Sequence, residues 1–266
     1  MSMRARVAGV DFSGARTAGK SIWIAEGSVS PDGILVDGLT RAAELPGGAV
    51  ALEPALAALV DYVATLNDAV VGFDFPFSIP AALIAQPDWP AFVQHFAGAY
   101  PDPGAFRTAC SEASATRELK RRTDVEARVP WCAYNLRLYR QTWAGIRHVL
   151  WPLVEGDRGR AIPMQNIRSG LPAIAEVCPA SWLKREGLYY PYKGSGAEML
   201  MARTSILDAL IERQALQPIA GRMRDTIIGN TGGDALDSVL AAVATARIGD
   251  VLPRDGIERL EGRVYF

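Results

Sequence analysis

Five carboxylates stand where the chain could do chemistry. Asp11 closes the apolar run RVAGVD (Arg6 to Asp11), Asp74 lies near the end of AVVGFDF (Ala69 to Phe75), and Glu176 lies in AIAEVC (Ala173 to Cys178). Each run reads as a buried strand, and ligands gather at strand ends in open α/β sheets. Asp234 and Asp237 open GGDALDSVLAAVATA. On a helix they project about 60° apart on one face, with Leu236, Val239, Leu240 and Val243 turned to the core. Carboxylates are rarely buried unless paired or metal-bound, and several converging ones repel each other unless a cation sits among them. An all-oxygen donor set suits Mg²⁺ or Mn²⁺. Two such ions about 3.5–4 Å apart hold the attacking and leaving oxygens in phosphodiester cleavage. Asp11, Asp74 and Asp237 are therefore expected to bind metal. Glu176 and Asp234 are expected as second-site ligands or to orient the attacking water.

Taken singly, each acid has a plainer role. Asp234 also reads as a helix N-cap with Asp237 at the third position, and Asp11, Asp74 and Glu176 as satisfied turn residues. What favours a site is the coincidence of three strand ends and one helix start. The two histidines, His95 and His148, form no H-E-x-x-H, and no G-x-S-x-G occurs, so catalysis must rest on carboxylates, lysine, arginine or backbone. Three separated cysteines make neither a disulfide framework nor a zinc ribbon.

The elements that must hold these acids follow from periodicity. After the strand at Arg6 to Asp11, Ser21 to Ala25 reads as a second strand and Ile34 to Leu39 as a third, joined by the turn SPDG. Such short connections make an antiparallel meander. Pro54 to Leu66 has helical spacing, and Ala69 to Phe75 reads as a parallel strand buried on both faces. From about 77 to 170 helix and loop signals dominate, including an amphipathic helix over Asn135 to Leu150 with Arg137, Arg140, Arg147 and His148 on its polar side. Ala173 to Cys178 is the fifth strand. Helices are expected over Met199 to Ala215 and Asp234 to Ile248, and Arg263 to Phe266 is a last strand or a docked tail. The expected fold class is α/β, one domain over 1–266, with a mixed sheet flanked by helices and a helical insertion at about 77–170.

Four motifs resemble a known family. GVDFSG (Gly9 to Gly14), GFDFPFSIP (Gly72 to Pro80), AEVCPASW (Ala175 to Trp182) and GDALDSVLAA (Gly233 to Ala242) are similar to the domain-of-unknown-function family numbered 429, predicted nucleases of the ribonuclease H-like superfamily. The resemblance implies a ribonuclease H-like sheet of a three-stranded antiparallel meander plus parallel strands. It matches Asp11, Asp74, Glu176 and the Asp234–Asp237 pair to the family's acids. The last-helix pair is also similar to that of RuvC-type resolvases. Two positions depart from the pattern: Gly233 replaces the first of two adjacent aspartates, and Ser238 stands where the family tends to have Ala. Lys193 and Arg203, in YYPYKGSGAEMLMAR, loosely resemble basic positions of the family and are expected to contact phosphate.

A competing motif is GARTAGKS (Gly14 to Ser21), a formal match to the phosphate-binding loop of NTPases. That mechanism needs a helix starting at the lysine. The β-rich SIWIA that follows argues instead for a hairpin, with a strand over 20–29. A sugar-kinase-like use of DFSGART and a non-catalytic binding protein are the remaining alternatives.

The 28 Lys and Arg face 29 Asp and Glu for a net charge of −1, which excludes a protein that coats nucleic acid indiscriminately. The balance is uneven. Between Arg107 and Arg168 twelve basic residues face six acids, +6, so the rest of the chain carries −7. Arginine-rich helices beside an acidic site would suit a phosphate backbone, with Arg137, Arg140 and Arg147 as substrate contacts and Trp131, Tyr134 and Trp143 as stacking or core residues. A nucleic-acid partner, DNA or RNA, is thus expected. No apolar run approaches the roughly 18 residues of a membrane span, and no signal-peptide pattern precedes Asp11, so the expected setting is cytoplasmic, without a membrane partner.

Overall fold

The computed structural model describes residues 6–249 and 251–266. Arg6–Asp11 forms β1, and a 3₁₀ turn at Ala18–Lys20 leads into β2 (Trp23–Ser30), which returns as β3 (Gly33–Arg41). α1 (Leu52–Thr65) crosses to β4 (Val70–Phe73). Then come α2 (Trp89–Ala99) and α3 (Pro103–Ala113). Each opens on an Asp whose side chain takes an amide of the first turn, Asp88 from Ala91 and Asp102 from Ala105, with Pro in the first turn where its missing N–H costs nothing. α4 (Arg122–Glu126), α5 (Tyr139–Gly145) and α6 (Trp151–Glu155) follow, the last two joined through a π-helical turn at Ile146–Leu150. The chain ends with β5 (Arg160–Ile162), β6 (Ala173–Val177), α7 (Pro179–Arg185), α8 (Ala197–Glu212), α9 (Gly221–Gly229), α10 (Asp234–Ala246), α11 (Gly256–Glu261) and β7 (Val264–Tyr265).

These strands make one seven-stranded mixed sheet in the order β3-β2-β1-β4-β6-β5, with β7 also on β6. β1, β2 and β3 pair antiparallel, as the short turns require; β4 is parallel to β1, and β6 is parallel to β4, β5 and β7. The fold is α/β, with helices on both faces. Ala8, Val10, Val71, Phe73 and Ile174 pack with α1, α2, α3, α5 and α6. Val7, Ala25, Ala173, Ala175 and Val177 pack with α7, α8 and α10. The period-two pleat thus divides each strand between two cores.

Two glycines seat α10. Gly9 and Gly72 are register partners in β1 and β4. A Cβ on Gly9 would lie 2.0 Å from the Ala242 amide nitrogen, and one on Gly72 would lie 1.9 Å from Thr245 Oγ1. The pair forms a groove that admits the helix backbone, so the first turn of α10 arrives beside the end of β1. A third glycine, Gly14, lets the insertion dock: its Cβ would lie 2.4 Å from the Arg140 carbonyl oxygen.

Several elements differ from expectation. β5 lies at the sheet edge unforeseen, since a three-residue strand carries too little alternation to be seen in sequence, whereas of the two readings of Arg263 to Phe266 the strand is the one realised, as β7 on β6. The amphipathic helix begins at Tyr139 rather than Asn135, because Asn135 turns the chain back on itself, accepting the Arg137 amide on Oδ1 at 2.8 Å. α9 and α11 were unforeseen, being short and weakly patterned.

Candidate functional site

β1 and β4 end side by side, and the ladder continues one step further: the Asp74 amide donates to the Val10 carbonyl at 3.1 Å. Asp11 follows Val7 and Gly9 in the pleat, and Asp74 follows Val70 and Gly72, so both acids stand on the face covered by α10. The phenylalanines next to the acids point into the opposite core, where Phe12 packs on Phe75 at 4.5 Å and Phe75 on Phe77 at 5.0 Å. That column holds the acidic loop from below.

α10 supplies Asp237. Its carboxylate is buried and doubly held: Tyr192 Oη donates to Oδ1 at 2.5 Å and Lys193 Nζ pairs with Oδ2 at 2.7 Å. Asp234 lies half-buried at the rim, the first residue of the helix, and neither it nor Asp237 caps the helix through its side chain. The capping-box alternative is therefore corrected: Asn230 Oδ1 takes a first-turn amide, that of Ala235, at 3.2 Å. Gly233, where the family pattern has an aspartate, adopts φ 81° and packs so closely on Tyr192 that a Cβ would lie 2.9 Å from its ring. A side chain there would be strained and would displace Tyr192.

Asp11, Asp74, Asp237 and Lys193 act on one another electrostatically. Burial, then the charges of Asp237 and Asp74, hold the Asp11 carboxyl well above the usual carboxylate range, against the pull of Lys193. Burial and Asp237 push Asp74 up to about 7, although Asp74 keeps partial surface exposure. Burial also raises Asp234, opposed by Lys193. The same carboxylates raise Lys193 against its own burial, so it stays an ammonium ion. No hydrogen bond from a described residue reaches the side-chain oxygens of Asp11 or Asp74. The structure thus brings Asp11, Asp74, Asp237 and Lys193 together, with Asp234 at the margin.

Glu176 is placed differently. It follows Ile174 on the other face of β6 and joins a buried network with Arg121 and Asp124. Arg121 Nη2 donates to its Oε1 at 2.5 Å, and Arg121 Nη1 and the Phe77 amide donate to its Oε2 at 2.7 and 2.9 Å. Burial raises its pKa and Arg121 pulls against that. Glu176 is therefore one of two carboxylates paired with Arg121, and it reaches Asp74 by its charge alone.

The expected phosphate contacts divide. Lys193 stands in the site. Arg203, 1% exposed, is not a surface contact: its guanidinium donates to the carbonyls of Ile228, Tyr192 and Gly194 at 2.6, 2.5 and 3.0 Å, fixing the loop that carries Lys193. Arg147 is likewise tied to the carbonyls of Ala97 and Tyr100. Arg137 and Arg140 are exposed and form no ion pair among the described residues. Much of the basic segment is spent internally: Arg121 is buried, Arg122 pairs with Asp255, Arg158 with Asp61, and Arg160 and Arg168 share Asp157. Of the aromatic candidates, Tyr134 and Trp143 are core residues and Trp131 is exposed.

Tyr192, Arg121 and Asp124 were missed. Arg121 was counted as surface charge, although R-x-x-D within KRRTDVE carries the spacing of a helical ion pair; Tyr192 was hidden in an aromatic run beside Lys193. At Gly14–Ser21 no helix starts at Lys20; a 3₁₀ turn ends there and β2 follows at Trp23. The phosphate-loop alternative lacks the helix N-terminus it requires. No described helix is long and apolar enough to cross a membrane. No family model, no curated protein and no solved structure matches the chain.

Proposed function

We propose that this chain is a ribonuclease H-like phosphodiester hydrolase, of the family numbered 429, that works with Mg²⁺ or Mn²⁺ held by Asp11, Asp74 and Asp237. One observation carries the reading: two carboxylates without a hydrogen-bond donor among the described residues, Asp11 and Asp74, face Asp237, and their shared countercharge is the Lys193 ammonium. That is the electrostatic signature of a cation site. The antiparallel β3-β2-β1 meander continuing into parallel β4 and β6 also supports a ribonuclease H-like sheet.

The donor set fits such an ion. Among the described residues no three ligating side chains form a ready-made cage. Mg²⁺ does not require one: it keeps several waters and binds through one or two carboxylates plus substrate phosphate. When bound, the metal would polarise a phosphoryl oxygen and make a bound water more acidic. The chain's own groups do the rest. Tyr192 orients Asp237. Lys193, once released from Asp237, offers its charge to a phosphate oxygen. Asp234, half-exposed and with its pKa raised, accepts a proton from the attacking water. Glu176 holds Arg121 in place beneath Asp74.

Mn²⁺ titration by calorimetry tests the reading. The wild-type chain should bind Mn²⁺ and cleave a phosphodiester in its presence. Asp11→Asn should lose at least about tenfold in affinity, a typical cost of disturbing a metal site. Lys193→Ala should bind the ion more tightly while cleaving less. Equal Mn²⁺ binding by wild type and folded Asp11→Asn would sink the assignment.

A further inference from the structure

Asp74 borders two cavities. One, about 380 Å³, lies over Asp237 and Lys193; the other, about 280 Å³, runs toward Trp131. Asp74, Ala180 and Tyr189 line both, so the cleft extends to either side of the acidic cluster. The second cavity has two exposed rings, Trp131 at 38% and Tyr189 at 47% exposure, each with a cation over its face: the Arg137 guanidinium at 4.9 Å and Lys184 Nζ at 5.1 Å.

The floor of this cavity excludes a phosphate. Arg121 lies there, but a guanidinium has five N–H donors and all five are used. Nε and Nη2 donate to Asp124 at 3.0 and 2.7 Å, Nη1 and Nη2 to Glu176 at 2.7 and 2.5 Å, and Nη1 to the Glu261 carbonyl at 3.0 Å. What remains at the floor is mainly acceptor: the carboxylates of Asp74, Asp124 and Glu176, and Gln141 Oε1, with one of the two Gln141 amide N–H groups used on the Asp74 carbonyl at 3.1 Å. A ligand here needs a flat π face for the rings and N–H donors for the floor. The volume lies just below the roughly 300–1,000 Å³ of drug-sized sites, which suits a single heterocycle.

We propose that this cavity receives one unpaired nucleobase adjacent to the scissile phosphate, so that the substrate is a single strand or a strand splayed from its partner. The assignment rests on the hydrolase reading. A paired base would first have to leave its stack, at a cost a single strand does not incur. The acceptor floor favours bases with an amino group, adenine, cytosine and guanine, over thymine and uracil. The rim cations Arg137 and Lys184 are placed for the flanking phosphates.

Fluorescence anisotropy with labelled oligonucleotides, in Ca²⁺ to suppress cleavage, tests the cavity. Trp131 and Tyr189 are exposed, so their variants should fold. Trp131→Ala and Tyr189→Ala should each weaken single-strand binding about tenfold, the range for a lost base-stacking contact, and Trp131→Phe should restore most of it. Single strands should bind tighter than the matching duplex, and oligo-deoxyadenylate or oligo-deoxycytidylate tighter than oligo-thymidylate. Wild-type affinity in both alanine variants, with duplex and single strand bound equally, overturns the cavity assignment and leaves Mn²⁺ binding at Asp11 untouched. Absence of Mn²⁺ binding together with intact stacking effects instead overturns the hydrolase reading while supporting the base cavity.

Discussion

Asp74 shows how much one residue's meaning depends on its surroundings. In GFDFPF it is an acid between phenylalanines; in the fold it is a carboxyl enclosed beside Asp237, with a pKa near 7. Because that pKa is raised above the unfolded value near 4, the folded state holds more protons between about pH 4 and pH 7, and stability falls as pH rises through that window. Asp74→Asn removes the penalty. It should raise stability by about 2 kcal/mol at pH 8, half the full linkage value because the group keeps some exposure, and by little at pH 4. Chemical denaturation at the two pH values measures this, and an equal effect at both would contradict the assigned protonation. Asp11, Asp74 and Asp237 were legible as residue type at an element end. The separation of Glu176 from them was not, because the pleat face depends on strand register. Asp11 and Asp74 share the α10 face, whereas Glu176 turns to Arg121.

At the scale of elements, the contact of α10 with β1 and β4 decides whether a site exists at all. Gly9 makes that contact by having no side chain. Gly9→Ala should destabilise by about 3 kcal/mol, the upper range for overpacking, since the added carbon meets backbone that cannot rotate away. Gly98→Ala is the control: Gly98 is exposed in α2 with open space where a Cβ would go, so the helix should gain a few tenths to about 1 kcal/mol. Urea midpoints of the two variants moving in the same direction would deny Gly9 this role. α1 and α10 were readable because 14 and 13 residues repeat one helical pattern, and β1, β4 and β6 because each is a short near-continuous apolar run. β5 draws its stability from neighbours already in place, a contribution that local sequence does not carry.

Over the whole molecule, the +6 segment looked like a continuous basic wall. Folding spends at least six of its twelve cations on carbonyls and carboxylates. The cations near the cleft reduce to Arg137, Arg140, Lys184 and Lys193 as direct phosphate partners. Single-strand affinity should therefore fall with salt at a log–log slope of about −3, not the about −8 that twelve contacts would give. Anisotropy titrations over a range of KCl concentrations decide between them, and a slope near −8 would return the whole segment to the interface.

What the sequence alone determined was the α/β class, the meander followed by parallel strands, the helical insertion and the five acids, because burial period and turn chemistry act over a few residues. What only the tertiary structure decided was which acids meet, which arginines are spent and where the cleft runs. Those outcomes depend on strand register, on the glycine groove under α10, and on partners such as Arg121 and Glu176, which are 55 positions apart in the chain and bonded in space.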